Sequence, residues 1–232
     1  AAISLADIAS GRGGYVINGQ TQPNGYASSG YFVSSAGDVN GDGLADLIIG
    51  APFASPVAGS AAGRSYVVFG KSSSSAVNLS GVASGSGGFM INGECAYDNS
   101  GITVASAGDL NGDGLGDLLV GAITFPNGLA TGRTYVVYGK SGSSAIDLSA
   151  IALGSGGFVI NGQCNYDYSG TLSAAGDVNG DGLADLIVGA QRNSLSPAGW
   201  MAGRSYVIFG STNGAFSVNT VDQLGSSANA VS

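Results

Sequence analysis

The sequence predicts an all-β protein built from three copies of one four-stranded unit. Three observations predict this fold: an internal repeat, short runs of β-branched and aromatic residues bounded by glycine, and no window with a helical apolar period. The string AGDVNGDGLADLIIGA begins at Ala36 and returns, slightly altered, at Ala107 and Ala175. The offsets are therefore 71 (107 − 36) and 68 (175 − 107) residues, so each unit is near 70 residues long.

Each unit is predicted to contain four strands. First strands of small and β-branched residues are expected at 31–36, 102–107 and 171–175. Second strands are continuous apolar runs, typical of strands covered on both faces, at 46–50, 117–121 and 185–189. Third strands carry SYVVF or its variants, and fourth strands carry GFxIN or GYVIN. A small apolar element (77–79 and 146–148) lies in the connector between third and fourth strands, and no long helix is expected.

Four-stranded units in series are typical of the blades of a β-propeller. The propeller region is predicted at 1–220, with repeats at about 14–87, 88–156 and 157–210, and a terminal tail or linker at 221–232. The opening strand 14–18 is expected to close the last blade, which removes an exposed sheet edge. Because three blades are fewer than the usual minimum of about four, we expect a second copy to complete the ring as a homodimer, or the chain to be part of a longer propeller.

Composition excludes several classes of function. The 232 residues include no histidine and one glutamate, so Ser-His-Asp and Cys-His catalysis is excluded and no enzyme is expected. The net charge of −8 with seven dispersed cations argues against nucleic acid as a partner. No apolar run reaches 18 residues, so no membrane span is predicted. Cys95 and Cys164 are interpreted as free or buried thiols, because equivalent points on adjacent blades normally exceed the roughly 7 Å limit for a disulfide.

The most informative motif is DVNGDGLAD at 38–46, repeated at 109–117 and 177–185. Side-chain oxygens at its positions 1, 3, 5 and 9, with a backbone carbonyl at position 7, favour Ca²⁺, which takes about 6–8 oxygen ligands. Glycine at position 6 permits the sharp turn. The predicted ligands of three Ca²⁺ per chain are Asp38, Asn40, Asp42, Leu44 and Asp46; Asp109, Asn111, Asp113, Leu115 and Asp117; and Asp177, Asn179, Asp181, Leu183 and Asp185.

Charge supports the calcium interpretation. The three motifs hold nine of the fifteen acidic residues, so the remaining six acids and seven bases give a net charge of +1 elsewhere. Three carboxylates within one short loop repel one another unless a cation lies between them. The alternative is that Asp, Asn and Gly form Asx turns in hairpins without any ion. Unlike an EF-hand, the loop lacks glutamate at position 12 and leads into an apolar strand.

The calcium motif, the GAP that follows it at 50–52 and the Phe-Gly that ends third strands at 69–70 and 209–210 resemble FG-GAP repeats. The resemblance covers residues 14–210; GAP becomes GAI and GAQ in the other units, and Phe-Gly becomes Tyr-Gly in the second. It implies blades like those of the integrin α-subunit propeller and its bacterial relatives, in an extracellular or cell-surface setting. It also implies structural calcium ions away from a face that binds a protein or cell-surface ligand.

The leading hypothesis is a non-enzymatic, calcium-binding module for protein–protein or cell-surface adhesion. Two alternatives remain: a propeller lectin that binds glycan, and a non-catalytic spacer of a larger secreted protein. Tyr26, Tyr97, Tyr166 and Trp200 lie in the variable loops, where propellers carry binding surfaces. The arginines that precede each third strand are predicted to have a structural role, pairing with a neighbouring loop carboxylate; they are Arg64, Arg133 and Arg204.

Overall fold

The computed structural model of the chain describes residues 2–21, 27–125, 129–193 and 201–211. Strands dominate these ranges, and each of their helices is a single turn of five residues. In chain order the elements are α1 (Leu5–Ala9), β1 (Ile17–Asn18), β2 (Phe32–Gly37), β3 (Asp46–Ala51), β4 (Arg64–Val68), β5 (Val77–Asn78), α2 (Leu79–Ala83), β6 (Gly88–Asn92), β7 (Thr103–Gly108), β8 (Asp117–Ala122), β9 (Arg133–Val137), β10 (Ile146–Asp147), α3 (Leu148–Ala152), β11 (Gly157–Asn161), β12 (Ser169–Gly176), β13 (Asp185–Ala190) and β14 (Arg204–Ile208).

The strands form the predicted blades. From here each repeat is named by its blade, from its first strand to its fourth, so repeat one runs from β2 to β6 and repeat two from β7 to β11. The four strands of repeat one lie side by side in the order β6-β4-β3-β2, and those of repeat two in the order β11-β9-β8-β7. All neighbours within a repeat are antiparallel. The described part of repeat three supplies the order β12-β13-β14. The all-β propeller class predicted from the repeat is confirmed.

The short connector strands join one repeat to the next. β10, from the connector of repeat two, pairs in parallel with β6 of repeat one, so that Ile146 lies opposite Ile91. β5 pairs in the same way with β1, so that Ile17 lies opposite Val77. Two strands of the fourth-strand type, β1 and β6, therefore each pair with a connector strand of the repeat that follows them.

The predicted role of residues 14–18 in closing the last blade stays a prediction. One edge of β1 pairs with β5, as β6 pairs with β10, and β13 is the described neighbour of β14. β2 contacts β7 and β7 contacts β12, so repeat two lies between repeats one and three.

The core lies between successive blades. Every residue of β8 is buried, which matches its continuous apolar run. One cluster joins Val67 and Phe89 of repeat one to Val104 of repeat two. A second cluster joins Val136 of repeat two to Leu186 of repeat three. Burial of the apolar side chains on both faces of these sheets is the main force that holds the repeats together.

No helix in the described ranges has the length and apolar character to cross a membrane. Cys95 and Cys164 are free and half-buried, in agreement with their interpretation as thiols. Tyr26, Trp200 and the predicted tail 221–232 lie outside the described residues.

Candidate metal centres

Each candidate loop connects the first and second strands of its blade. The strand pair meets the loop where Gly37 lies opposite Asp46, with a register shift just before it. The same arrangement recurs at Gly108–Asp117 and Gly176–Asp185. The glycine at position 6 of the first loop, Gly43, has φ +85°, so its predicted role in the sharp turn is confirmed.

The first aspartate of each loop binds the loop's own backbone. Asp38 Oδ1 accepts hydrogen bonds from the amides of Gly41 (2.8 Å) and Asp42 (3.1 Å), and its Oδ2 accepts one from Gly43 (2.8 Å). Asp109 and Asp177 make the same three bonds in their loops. The carboxylate therefore organises the turn from within.

The third and fifth residues are joined to each other. Asn40 Oδ1 accepts the amide of Asp42, and Asn40 Nδ2 donates to Asp42 Oδ2, both at 2.9 Å. Asp42 Oδ1 in turn accepts the amide of Leu44 at 2.9 Å. Asp42 and Leu44 are exposed and Asn40 is half-buried, so the rim of the loop faces solvent.

The ninth aspartate is buried and has a second task that sequence analysis did not predict. Asp46 is fully buried; its Oδ2 accepts the amide of Val39 at 2.9 Å and its Oδ1 accepts the amide of Gly70 at 2.7 Å. Gly70 is the glycine that ends the third strand, so the carboxylate ties the loop to that strand. The equivalent bonds link Asp117 to Gly139 and Asp185 to Gly210.

Close approach explains why glycine ends the third strand. A Cβ atom on Gly70 would lie 2.6 Å from Leu44 Cβ and 2.7 Å from the carbonyl oxygen of Ala45. Both contacts are shorter than non-bonded atoms tolerate. We call the hydrogen bond between the ninth aspartate and this glycine the clamp. The recurring glycine was the available signal for it in the sequence, since it follows each ninth aspartate at a similar spacing.

Burial is the main cause that raises the pKa of the ninth aspartate in the first two loops, and the charges of the other loop aspartates add to it; in the third loop the backbone hydrogen bond from Gly210 lowers the pKa of Asp185. Burial raises the pKa of Asp117 to about 6, backbone hydrogen bonds from Gly139 and Leu110 oppose the rise, and the charges of Asp113 and Asp109 add to it. Burial likewise raises the pKa of Asp46. The three carboxylates of a loop thus interact unfavourably through their charges.

The structure brings the five predicted ligands of each loop into one turn but does not converge their carboxylates on a point. No group of three or more His, Cys, Asp or Glu side chains in the described part of the chain is arranged to hold a metal ion. Instead, the carboxylate oxygens face backbone amides and the asparagine side chain. The 15 predicted ligands therefore remain predictions.

A second recurring cluster, which we call the latch, joins each repeat to the preceding one. Arg133 Nη1 and Tyr135 OH both donate to Glu94 Oε2, at 2.7 and 2.6 Å, and Arg133 Nε donates to Asn161 Oδ1 at 2.8 Å. Gln20 accepts from Arg64 and Tyr66, and Gln163 accepts from Arg204 and Tyr206.

The predicted structural role of the three arginines agrees with the latch. The partner is a carboxylate only at Glu94, and glutamine takes its place in the other two positions. The signal in the sequence was the long polar residue that follows each fourth-strand Asn-Gly, namely Gln20, Glu94 and Gln163.

Two of the loop tyrosines are exposed. Tyr97 is 64% exposed and Tyr166 is 57% exposed, and both have positive φ at equivalent positions of their repeats. Each precedes a buried aspartate, Asp98 or Asp167, that accepts the amide of a cysteine. The turn therefore directs a tyrosine outward and an aspartate inward.

Stacked four-stranded sheets with an aspartate-rich loop between their first two strands define a protein of propeller blades. Comparison with known families gives the particular class. The FG-GAP repeat family matches residues 29–68, 100–137 and 169–208, and the chain belongs to this family.

Two groups of known proteins have similar sequences. Integrin alpha-5 of Xenopus laevis is 32% identical over 166 residues, which is 69% of this chain and 14% of the integrin. Integrin alpha-7 of Mus musculus is 31% identical over 75% of this chain and 13% of its own length. Phosphatidylinositol-glycan-specific phospholipase D of Mus musculus is 33% identical over 70% of this chain and 18% of the enzyme. The chain thus spans less than a fifth of these relatives.

Proposed function

We propose that this chain is a non-enzymatic, calcium-stabilised propeller module for protein–protein or cell-surface adhesion outside the cell. The observation that carries the proposal is the threefold recurrence of one acidic loop, in sequence and in hydrogen bonding. Turn formation alone accounts for one such loop, but not for three carboxylates at the same spacing in every repeat. The proposed ligands are the side chains at positions 1, 3, 5 and 9 and the carbonyl at position 7.

The donor set fits calcium by its chemistry. Each loop offers three carboxylates, one amide oxygen and backbone carbonyls, which are the hard oxygen ligands that Ca²⁺ takes in flexible geometry. Asp42 accepts one hydrogen bond on each oxygen, as does Asp46. A carboxylate has about four acceptor sites, so both residues retain capacity for a cation.

The charge of the loops favours a bound cation. Among the described residues, ion pairs join Arg12 to Asp7 and Arg133 to Glu94. Neither pair involves an aspartate of the three acidic loops. Nine aspartates therefore lack a lysine or arginine as counterion in that part of the chain. A divalent ion in each loop would offset the mutual repulsion of its carboxylates, which adds to the effect of burial in raising the pKa of Asp117.

Thermal unfolding with and without chelator tests the calcium proposal. An ion that binds only the folded state raises the melting temperature, so EGTA should lower it and added Ca²⁺ should restore it. Asp42→Asn should reduce this shift, because it removes a charged ligand from one loop. The rest of the fold should be unaffected, because Asp42 is exposed and contacts only its own loop. Asp7→Asn makes the same charge change at a surface ion pair and should leave the shift intact. A melting temperature that does not respond to Ca²⁺ in the wild-type chain would remove the proposal.

The adhesive role rests on the similarity to integrin alpha subunits over about 70% of the chain. Surfaces coated with the folded chain should retain more cells, in Ca²⁺, than surfaces coated with the heat-denatured chain. Equal retention on the two coatings would count against adhesion while leaving calcium binding untouched.

A second candidate function is a non-catalytic segment of a larger enzyme. The similarity to phosphatidylinositol-glycan-specific phospholipase D over 70% of the chain favours it. The complete coding sequence decides between the two: a catalytic domain beside the repeats supports the enzyme context, and further adhesion-type repeats support the first proposal.

A third candidate is carbohydrate binding, favoured by the exposed Tyr97 and Tyr166 at equivalent positions. Aromatic faces with nearby polar groups suit sugar rings. A glycan array probed with wild-type chain and with Tyr97→Ala/Tyr166→Ala tests it: binding that the double variant loses supports a lectin, and no binding removes it.

A further inference from the structure

A groove between the second and third strands of repeat one holds a turn from repeat two. We call residues 98–101 and their equivalents 167–170 and 27–30 the entry turns, because each leads into the first strand of its repeat. The amide of Ser100 donates to the carbonyl of Ala62 at 3.1 Å, and Ser100 forms a β-bridge with Gly63. The turn also approaches Gly50, on which a Cβ would lie 1.9 Å from the carbonyl oxygen of Gly101.

The same contact joins repeat two to repeat three. The amide of Ser169 donates to the carbonyl of Thr131 at 3.2 Å, and Ser169 forms a bridge with Gly132. A Cβ on Gly121 would lie 2.3 Å from the carbonyl oxygen of Gly170. Groove and entry turn are therefore a repeated pair of complementary surfaces within this chain.

Repeat three has the groove without a described turn in it. Its volume is about 480 Å³, and it is lined by residues 189–191 and 202–205, the equivalents of 50–52 and 62–65. The backbone conformation is the same, with φ +55° at Met201 against +48° at Ala61. A Cβ on Gly189 would approach only Thr171, at 3.6 Å or more. Gly50 and Gly121 each contact the entry turn of the next repeat. At Gly189, the equivalent position in repeat three, no described entry turn is in contact.

Repeat one has the entry turn without a described groove against it. The amide of Tyr31 donates to Ser28 at 3.1 Å, as Ile102 does to Asn99, and Ser28 has φ +50° against +54° at Asn99. A Cβ on Gly30 would have no atom within 4 Å, whereas one on Gly101 would lie 2.6 Å from the carbonyl oxygen of Arg64. The turn is preformed; Ser28 and Gly30 are exposed and Ser29 is half-buried.

The faces beside this groove and this turn carry apolar side chains that are buried at the internal junctions. On repeat three, Val207 is 48% exposed, whereas its equivalent Val136 is fully buried. On repeat one, Val33 is 63% exposed, whereas its equivalent Val104 is fully buried. Exposed apolar patches of this kind mark interaction sites.

We propose that the groove of repeat three receives the entry turn 27–30 of a second copy of this chain, so that copies associate head to tail. In this arrangement residues 14–18 of the second copy pair with β14, in the register in which β6 pairs with β4. Arg204 then lies opposite Asn18, as Arg64 lies opposite Asn92. Two different surfaces of one chain form this contact, so it is heterologous.

Association among residues 1–232 of a single chain does not account for these surfaces. Repeat two lies between the groove and the exposed turn, and bringing them together would close a ring of three blades, fewer than the usual minimum of about four. A second copy needs no such closure. The inference goes beyond the proposed function and does not depend on calcium binding.

Sedimentation velocity of the 232-residue chain and two variants tests the proposal. Gly189→Val fills the groove where the monomer has room for a side chain, and Ser29→Glu places a charge at a position whose equivalents Ser100 and Ser169 are 1% and 2% exposed. Wild-type chain at high concentration should sediment as dimers and larger species, and each variant alone as a 22.5 kDa monomer. Gly142→Val, at an exposed glycine with no atom within 4 Å of its Cβ position, should associate like wild type.

Mixing the variants identifies the contact. Gly189→Val keeps its entry turn and Ser29→Glu keeps its groove, so an equimolar mixture should form a 1:1 dimer of 45 kDa (2 × 22.5) and nothing larger. Circular dichroism confirms that both variants are folded. A monomeric wild type at 100 μM, association of Gly189→Val like wild type, or a mixture that stays monomeric would each overturn the proposal.

Running the series in Ca²⁺ and in EGTA separates the two proposals. If the chain associates in both media and its melting temperature does not depend on Ca²⁺, head-to-tail docking is supported and the calcium proposal is contradicted. A calcium-dependent melting temperature with a monomeric chain does the reverse.

Discussion

Asp46 accepts a hydrogen bond from the backbone amide of Gly70 at 2.7 Å, and this bond links the acidic loop of repeat one to the end of its third strand. The other carboxylate oxygen accepts the amide of Val39. Both oxygens of a buried side chain are therefore committed to the fold, whether or not an ion is also bound. The two partners explain why aspartate at position 9 and glycine at the strand end recur together.

Asp46→Asn should destabilise the chain in EGTA, and further in Ca²⁺, because Asp46 is also a proposed ligand. The amide nitrogen of asparagine cannot accept a hydrogen bond, so one buried backbone amide loses its partner, at a cost of about 1–3 kcal/mol. Urea unfolding in both media measures this cost. Asp42→Asn is the matched control: it should matter in Ca²⁺ and have little effect in EGTA. Equal behaviour of the two variants would contradict the assignment of separate roles.

Glu94→Gln should be tolerated, whereas Glu94→Ala should not. Gln20 and Gln163 occupy the same latch position and accept the same two donors, so an amide oxygen suffices there. Alanine leaves Tyr135 OH and Arg133 Nη1 without their acceptor at a half-buried site, which should cost about 1–3 kcal/mol. The measurement is the free energy of unfolding in urea. A loss with Gln as large as with Ala would show that the charge of Glu94, and not its geometry, matters.

Stability should fall as pH rises from about 4 to about 7, in part because of Asp98. Asp98 is fully buried, its Oδ1 has no hydrogen-bond partner among the described residues, and burial, aided by the charge of Glu94, raises its pKa from 3.8 to about 7. The folded state therefore holds this proton more tightly than the unfolded state. Its contribution is fully favourable below pH 4 and is lost as pH rises through the folded pKa.

Asp98→Asn should reduce the fall in melting temperature between pH 5 and pH 8 and should raise the melting temperature at pH 8. The substitution removes the charge that burial penalises. Asp7→Asn, at an exposed ion pair, serves as the control and should leave the pH dependence unchanged. An Asp98→Asn chain with the wild-type pH profile would refute this account of the site.

Local patterns in the sequence determined much of the fold in advance. The run DLLVG predicted a strand covered on both faces, and every residue of β8 is buried. The glycine at position 6 predicted a sharp turn, and Gly43 has positive φ. These inferences succeeded because they depend on neighbouring residues and on side-chain polarity alone.

Long-range pairing was not accessible in this way. β1 is two residues long and pairs with β5 sixty residues later, and no local signal indicates this partner. The clamp between Asp46 and Gly70 also escaped prediction, because the motif alone assigned that carboxylate to a metal. Asp98 and Asp167 look equivalent in sequence, but their surroundings differ. Asp167 accepts a hydrogen bond from Asn193, whereas the residue equivalent to Asn193 in repeat two is Phe125, whose side chain has no hydrogen-bond donor.

The number of Ca²⁺ ions bound per chain tests the central claim most directly. Native mass spectrometry of the folded chain in micromolar Ca²⁺ should give three ions, and Asp42→Asn should give two. Two results would contradict the claim that these three loops are calcium sites. One is a wild-type chain that binds no Ca²⁺ at millimolar Ca²⁺, and the other is a number of bound ions that loop substitutions do not change.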